Sequence, residues 1–226
     1  MIRCVVFDFD GVLVDSNAVK RRAYTDIFSA WGPVVGVVVG AVLRADTEDD
    51  RFGIIRAILR LLPGAPATPE ELEPLVAEYA ARYNDICEEH AATCGEVAGA
   101  AETLNRLAGN LPLYIVSATP QAPLQRIVAR RGWGRHFRGV LGRPATKQEN
   151  LAALMGQEGI DGAQVVFVGD GRRDLEAALS MGCCFVGVRN QFNDFDSADV
   201  TMIDDLHNLP QLIKSLGETR AAGKAG

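Results

Sequence analysis

The sequence predicts a doubly wound, Rossmann-like α/β fold: a parallel sheet whose first strand is followed by an inserted all-helical domain. Residues 2–7, 113–116, 165–168 and 184–188 are short runs apolar on both faces, the pattern of buried parallel strands. Helical periodicity lies between them, at 97–107, 123–131, 148–155, 175–181 and 206–216. Strand and helix therefore alternate, as right-handed crossovers on both faces of a sheet require. Residues 16–92 instead read as helix after helix with no convincing strand. The expected division is an α/β core domain from residues 1–15 and 93–226, and a helical domain from 16–92.

Local signals place the elements. Thr68-Pro69-Glu70-Glu71 combines an N-cap threonine, proline at the first helical position and glutamate at the third. Thr47-Glu48-Asp49-Asp50 resembles another helix start, and Leu61-Leu62-Pro63-Gly64 ends the helix between them. The valine-rich run 33–42 is ambiguous, because valine favours strand while Gly36 and Gly40 weaken either choice; it reads as helix or irregular chain. Gly132-Trp133-Gly134 is a break before a short strand near 137–141, and the tail from Gly217 is expected to fray.

Composition narrows the function. The chain has 226 residues, 48% hydrophobic and 23% charged, with a formal net charge of −6. These values suit a globular protein and disfavour a nucleic-acid binder, which would carry a basic face. The first residues reach Asp8 before any apolar stretch long enough for a signal peptide or membrane span, so a cytoplasmic protein without membrane contact is expected. Five cysteines without a CxxC pair read as reduced, mostly buried side chains. The isolated His90, His136 and His207 read as structural or exposed, and Trp31 and Trp133 as packing residues.

Four strand ends carry the chemistry. Val5-Val6-Phe7-Asp8-Phe9-Asp10-Gly11 puts two carboxylates two residues apart at the carboxyl end of a strand, where open α/β sheets bind ligands. Holding both requires a cation, a hydrogen-bond array or a shared proton. Magnesium meets that need with hard oxygen ligands, and Gly11 permits a tight turn and offers an N–H to a phosphate oxygen. By itself Asp-x-Asp-Gly also suits a surface turn. Tyr114-Ile115-Val116-Ser117-Ala118-Thr119 ends a strand in hydroxyl residues before a helix, suited to an anion or to helix capping. Lys147 stands at a helix start, where the macrodipole disfavours a cation unless an anion faces it, although a lone lysine there also suits an ordinary solvated charge. Val165-Val166-Phe167-Val168-Gly169-Asp170-Gly171-Arg172-Arg173-Asp174 runs a buried strand into an acidic loop, with Asp170 placed as a metal ligand and Asp174 as a further ligand or its support; taken alone, either aspartate equally suits capping of the following helix.

In this order the four motifs resemble those of the haloacid dehalogenase superfamily, over essentially the whole chain. The helical insert resembles that family's C1 cap, and residues 9–16 resemble its phosphoglycolate phosphatase and β-phosphoglucomutase branch. The resemblance implies a magnesium-dependent phosphoric monoester hydrolase acting on a small phosphorylated metabolite. Asp8 would be the nucleophile that forms an aspartyl-phosphate, and Asp10 the acid/base, its carbonyl also on the metal. Ser117 and the N–H groups of Gly11 and Ala118 would hold the phosphate, Lys147 would neutralise it, and Asp170 would complete the metal site, with Asp174 beside it. Asp10 disfavours dehalogenase and phosphonatase chemistry, which lack that carboxylate.

A sugar-phosphate mutase is the nearer alternative, although its branch tends to place a histidine where this chain has Lys20. A metabolite- or protein-binding module without catalysis is the other. Arg44, near the bend between helices of the insert, is the candidate for a substrate carboxylate or second phosphate, and Lys20-Arg21-Arg22 suits either an anionic substrate or a solvated helix face. Gly171 stands where relatives commonly carry a small hydroxyl residue. Oligomeric state is left open.

Overall fold

The structure, a computed structural model, describes residues 1–45, 50–66, 68–193 and 200–222. Its two compact units are residues 1–16 with 91–226, and residues 17–90.

The larger unit holds a six-stranded sheet of β1 (Cys4–Phe7), β2 (Leu113–Pro120), β3 (Gly139–Arg143), β4 (Val165–Gly169), β5 (Cys184–Val188) and β6 (Thr201–Ile203). Their order is β3-β2-β1-β4-β5-β6, and every neighbouring pair is parallel. Strand β1 passes to β2 on one side, and the chain later returns to β4 on the other. Its carboxyl end is thus the point where connections diverge and a crevice opens. Strand β6, absent from the sequence-based expectation, has three residues and no fully buried position, so it lacks the apolar run that marks the others.

Side chains of β1 alternate between two cores. Val5 and Phe7, with Val166 and Val168 of β4, pack against α5 (Ala100–Ala108), α6 (Gln121–Arg130) and α9 (Leu209–Ala222). Cys4 and Val6, with Val165 and Phe167, face α7 (Lys147–Glu158) and α8 (Arg172–Ser180). Phe7 and Phe167 are wholly buried, each stabilising the sheet by about 1.5–3 kcal/mol. The tail expected to fray from Gly217 continues as α9 to Ala222, and residues 223–226 lie outside the described residues.

The smaller unit is helical: α1 (Asn17–Ile27), α2 (Val34–Arg44), α3 (Arg51–Leu61) and α4 (Pro69–Thr93), the last of which runs on past His90 into the α/β unit. The valine run resolves as helix because Val35, Val38, Val39 and Val42 fall on one face and are buried there, which outweighs their intrinsic strand preference. Tyr24 stacks on Tyr83 and Phe28 on Tyr79, each at 4.3 Å between ring centroids. Helix α4 begins at Pro69 with Glu70 and Glu71 in its first turn, as the cap signal requires. Of the Thr47–Asp50 signal, residues 47–49 lie outside the described residues, and Asp50 itself caps α3 by accepting from the N–H groups of Phe52 and Gly53. Among the described residues no helix is long and apolar enough to cross a membrane.

Candidate active site

Parallel pairing brings the acidic motifs together. Phe7 lies opposite Val168, and the Asp8 N–H continues the ladder by donating to Val168 O at 2.8 Å. Asp8 therefore follows β1 beside Asp170, which follows β4. Asp8, Asp170 and Asp174 each place a carboxylate oxygen within 4.8 Å of the others. Asp174 sits in the first turn of α8, turned back against Gly169 so closely that a Cβ there would lie 2.3 Å from the Asp174 Cβ. Gly169 is thus required by a close approach and not by its dihedral angles.

Lys147 is the first residue of α7, whose N-cap is Thr146 in a reciprocal capping box with Glu149. Its ammonium is 3.1 Å from Asp8 Oδ2 and donates to Asp174 Oδ1. The unfavourable position for a lysine at a helix start is thereby explained: two carboxylates face it. Asp174 Oδ2 accepts from the N–H groups of Gly171, at 2.9 Å, and Asp170, at 3.3 Å. Both Asp174 oxygens are thus engaged, one by Lys147 and the other by the loop that carries Asp170.

Asp10 is held by two hydroxyls: Ser16 donates to Oδ1 at 2.6 Å and Thr119 to Oδ2 at 3.0 Å. Between Asp8 and Ser16 the chain turns at Gly11, whose φ of 74° is left-handed and costs other residues strain. The Gly11 N–H, expected to contact a phosphate oxygen, donates instead to Val14 O at 2.8 Å and closes that turn. Ser117 is buried at the irregular end of β2, where the pairing with β3 shifts register between Val116 and Pro120, and its Oγ accepts from the Thr119 N–H at 3.2 Å. Neither Ser117 nor Thr119 caps α6, since its N-cap is Pro120. Ala118 is exposed at the same sheet edge. Arg44 belongs to the helical unit, exposed in the last turn of α2 with its guanidinium folded back over Gly40.

The electrostatics show what this cluster is short of. Burial, then the Asp174 charge, push the Asp8 carboxyl up from 3.8 to about 8; Asp170 and Asp10 add to the rise and Lys147 opposes it. Lys147 is itself pushed down by burial, but the Asp174 and Asp8 carboxylates more than compensate and hold its ammonium firmly charged. Negative charge still exceeds positive in the crevice. Asp8 Oδ1 is moreover buried without a hydrogen-bond partner among the described residues. A buried, orphaned carboxylate oxygen in a ring of hard oxygen donors fits a divalent cation such as magnesium.

Sequence reasoning did not assign Thr119, Ser16, Asn190 or Asn193 to the site. Thr119 and Ser16 stand inside the quoted motifs, but only the fold shows that their hydroxyls reach Asp10. Asn190 donates to Asp170 Oδ2 at 2.8 Å and Asn193 to Asp170 O at 2.9 Å. The signal available for the asparagines was their place just beyond β5, at the sheet edge that carries Asp170.

Comparison with known proteins agrees with this arrangement. Residues 2–182 match the model of the haloacid dehalogenase-like hydrolases. The chain is 28% identical to a phosphoglycolate phosphatase of Shigella dysenteriae, over 96% of this chain and 93% of that one. It is 30% identical to a phosphoglycolate phosphatase of Salmonella typhi, over 85% and 83%. A solved haloacid dehalogenase-like hydrolase of Streptococcus pneumoniae shares the fold at a TM-score of 0.71, covering 93% of this chain and 98% of that one at 17% identity. The chain belongs to the haloacid dehalogenase-like hydrolase family, as one of its phosphatases.

Proposed function

We propose that this phosphatase hydrolyses a small phosphorylated metabolite, a phosphoglycolate-like acid or a sugar phosphate, through an aspartyl-phosphate on Asp8. The observation that carries the reading is the state of Asp8 itself: one carboxylate oxygen faces the Lys147 ammonium, while the other is buried amid acidic side chains with no hydrogen-bond partner among the described residues. A buried carboxylate of this kind is costly unless a cation and an electrophile complete its surroundings.

Asp8 attacks phosphorus, and the bond from phosphorus to the ester oxygen breaks as Asp10 delivers a proton to the departing alkoxide. Asp10, now ionised, takes a proton from water, which attacks the aspartyl-phosphate; inorganic phosphate leaves and the Asp8 carboxylate is restored. The hydroxyls of Ser16 and Thr119 hold the Asp10 carboxylate in one orientation for both transfers. Ser117 and the Ala118 N–H bind phosphate oxygens, and Lys147 neutralises charge between the nucleophile and the phosphoryl group. Magnesium would be held by Asp8, Asp170 and the Asp10 carbonyl, with Asp174 supporting Lys147, and when bound it supplies the positive charge that keeps Asp8 ionised and screens the phosphate. Arg44 remains the candidate for a substrate's second anionic group. The five cysteines, all free, accord with a cytoplasmic setting.

The test is magnesium-dependent phosphate release across two- to six-carbon phosphate esters, with α- and β-glucose 1-phosphate included so that a mutase product is detected. Release should occur with at least one class and vanish in Asp8→Asn. No metal-dependent release from any ester, or undiminished release by Asp8→Asn, sinks the reading.

A further inference from the structure

We infer that the turn after β5, through Asn190 and Asn193, is a positioning clamp that sets the affinity of the metal site by fixing Asp170. The inference rests on the reading above, in which Asp170 is a metal ligand, and adds residues that none of the four motifs contains.

The sheet places this turn. Gly169 pairs with Gly187, so β4 and β5 end side by side and the chain leaving Val188 passes directly beside Asp170. The two asparagines then close a network in which each side-chain oxygen and nitrogen is used. Asn190 Nδ2 donates to Asp170 Oδ2 at 2.8 Å, and its Oδ1 accepts from the Phe192 N–H at 2.8 Å. Asn193 Nδ2 donates to Asp170 O at 2.9 Å and to Val188 O at 2.7 Å, and its Oδ1 accepts from the Asn190 N–H at 3.1 Å. Rotating either amide by 180° would set oxygen against oxygen at Asp170, so the network fixes both amides in one orientation.

The consequence falls on Asp170. Its backbone carbonyl is tied by Asn193, its N–H by Asp174 Oδ2, and its carboxylate by Asn190. With one carboxylate oxygen engaged, rotation about the Cβ–Cγ bond is stopped, and the orientation presented to Asp8 and Asp174 is set before any cation arrives. A neutral amide donor suits this place. A lysine or arginine would add a positive charge in competition with the metal, whereas an amide orients the ligand and leaves its charge available. Asp170 thus shares its support between two loops: α8's first turn through Asp174, and the β5 turn through the asparagines. Arg189 begins that turn and donates its N–H to Ile203 O at 2.8 Å, which anchors the clamp to β6.

The experiment measures divalent-cation binding directly, without turnover. Manganese binding to the full-length protein is followed by electron paramagnetic resonance and checked by calorimetric titration with magnesium, for the parent, Asn190→Leu, Asn193→Ala and Asp170→Asn. Loss of an outer-shell support of a metal ligand costs about 10–100-fold in affinity. Asn190→Leu should therefore weaken manganese binding by about that factor, and Asn193→Ala by a similar or smaller one. The metal concentration for half-maximal phosphate release should rise in parallel. Asn190→Ser, whose hydroxyl is too short to span the gap, serves if the leucine variant does not fold. Parent-like manganese affinity in the Asn190 variants overturns the clamp while the metal reading stands. If the parent binds no divalent cation, or Asp170→Asn binds as tightly as the parent, the metal reading falls and the clamp with it.

Discussion

Replacing Asp8 by asparagine should stabilise the metal-free protein above neutral pH even as it abolishes turnover. Burial and the carboxylates of Asp174, Asp170 and Asp10, opposed by Lys147, raise the Asp8 pKa from 3.8 to about 8. The folded state then holds this proton more tightly than the unfolded chain does. The group's contribution to stability is complete below about pH 3.8 and is lost as pH rises through about 8, at a slope near 1.4 kcal/mol per pH unit between those values. Allowing for the flattening as pH approaches the folded pKa, the loss between pH 6 and 8 is about 2 kcal/mol. Asparagine is neutral throughout, so in EDTA its advantage over the parent should widen by about 4–8 °C in melting temperature across that interval. Magnesium should reverse the order, since a ligand at a hundred times its Kd stabilises the parent by about 2.7 kcal/mol, whereas the variant has lost a charged ligand. Parallel pH profiles for the two proteins in EDTA, or equal stabilisation of both by magnesium, would refute the electrostatic account of the crevice.

Three further substitutions separate the remaining parts. Lys147→Met removes the ammonium between Asp8 and Asp174; kcat should fall roughly 10²–10³-fold with the fold retained in circular dichroism, and a fall below threefold would contradict its role in neutralising charge. Thr119→Val removes a donor from Asp10 Oδ2, so turnover of alkyl phosphates, whose leaving group needs a proton, should drop about tenfold more than turnover of p-nitrophenyl phosphate, and Thr119→Ser should restore it. Equal losses on both substrates would mean that Thr119 serves the fold and not Asp10. Gly169→Ala forces a methyl group against the Asp174 side chain, which should lower stability by about 1–3 kcal/mol in chemical denaturation and weaken magnesium binding together; an unperturbed variant would show that Asp174 can move away freely.

The parts of this molecule that were legible in the sequence are those where one short segment contains its own explanation. Strand β4 reads as a strand because Val165, Val166, Phe167 and Val168 are buried on both faces of a parallel sheet. Helix α4 announces its start because a proline followed by acidic residues is a local device. Helix α2 was ambiguous for the opposite reason: its valines become helical through burial against neighbours distant in sequence, and no window of ten residues carries that information. Strand β6 depends almost wholly on the existing edge of β5, with a side-chain pattern too short and too exposed to be seen.

The same distinction governs the site. Asp8, Asp10, Lys147, Asp170 and Asp174 sit in motifs whose charges make little sense unless something binds, so a sequence reader can ask what neutralises them. Thr119 and Asn190 carry no charge and offend no local rule; their meaning arises only when β2 and β5 are laid on either side of β1 and β4. Each then gives a hydrogen bond to one oxygen of a carboxylate on a different strand: Thr119 to Asp10 and Asn190 to Asp170. A carboxylate that must act in one direction needs its rotation stopped, and a neutral donor does so with little cost to its charge. The two supports lie on opposite sides of the acidic centre, one beside the carboxylate proposed to move protons and one beside a carboxylate that would face the metal. Their effects should therefore be separable, with Thr119 changing the dependence on leaving group and Asn190 the dependence on cation concentration.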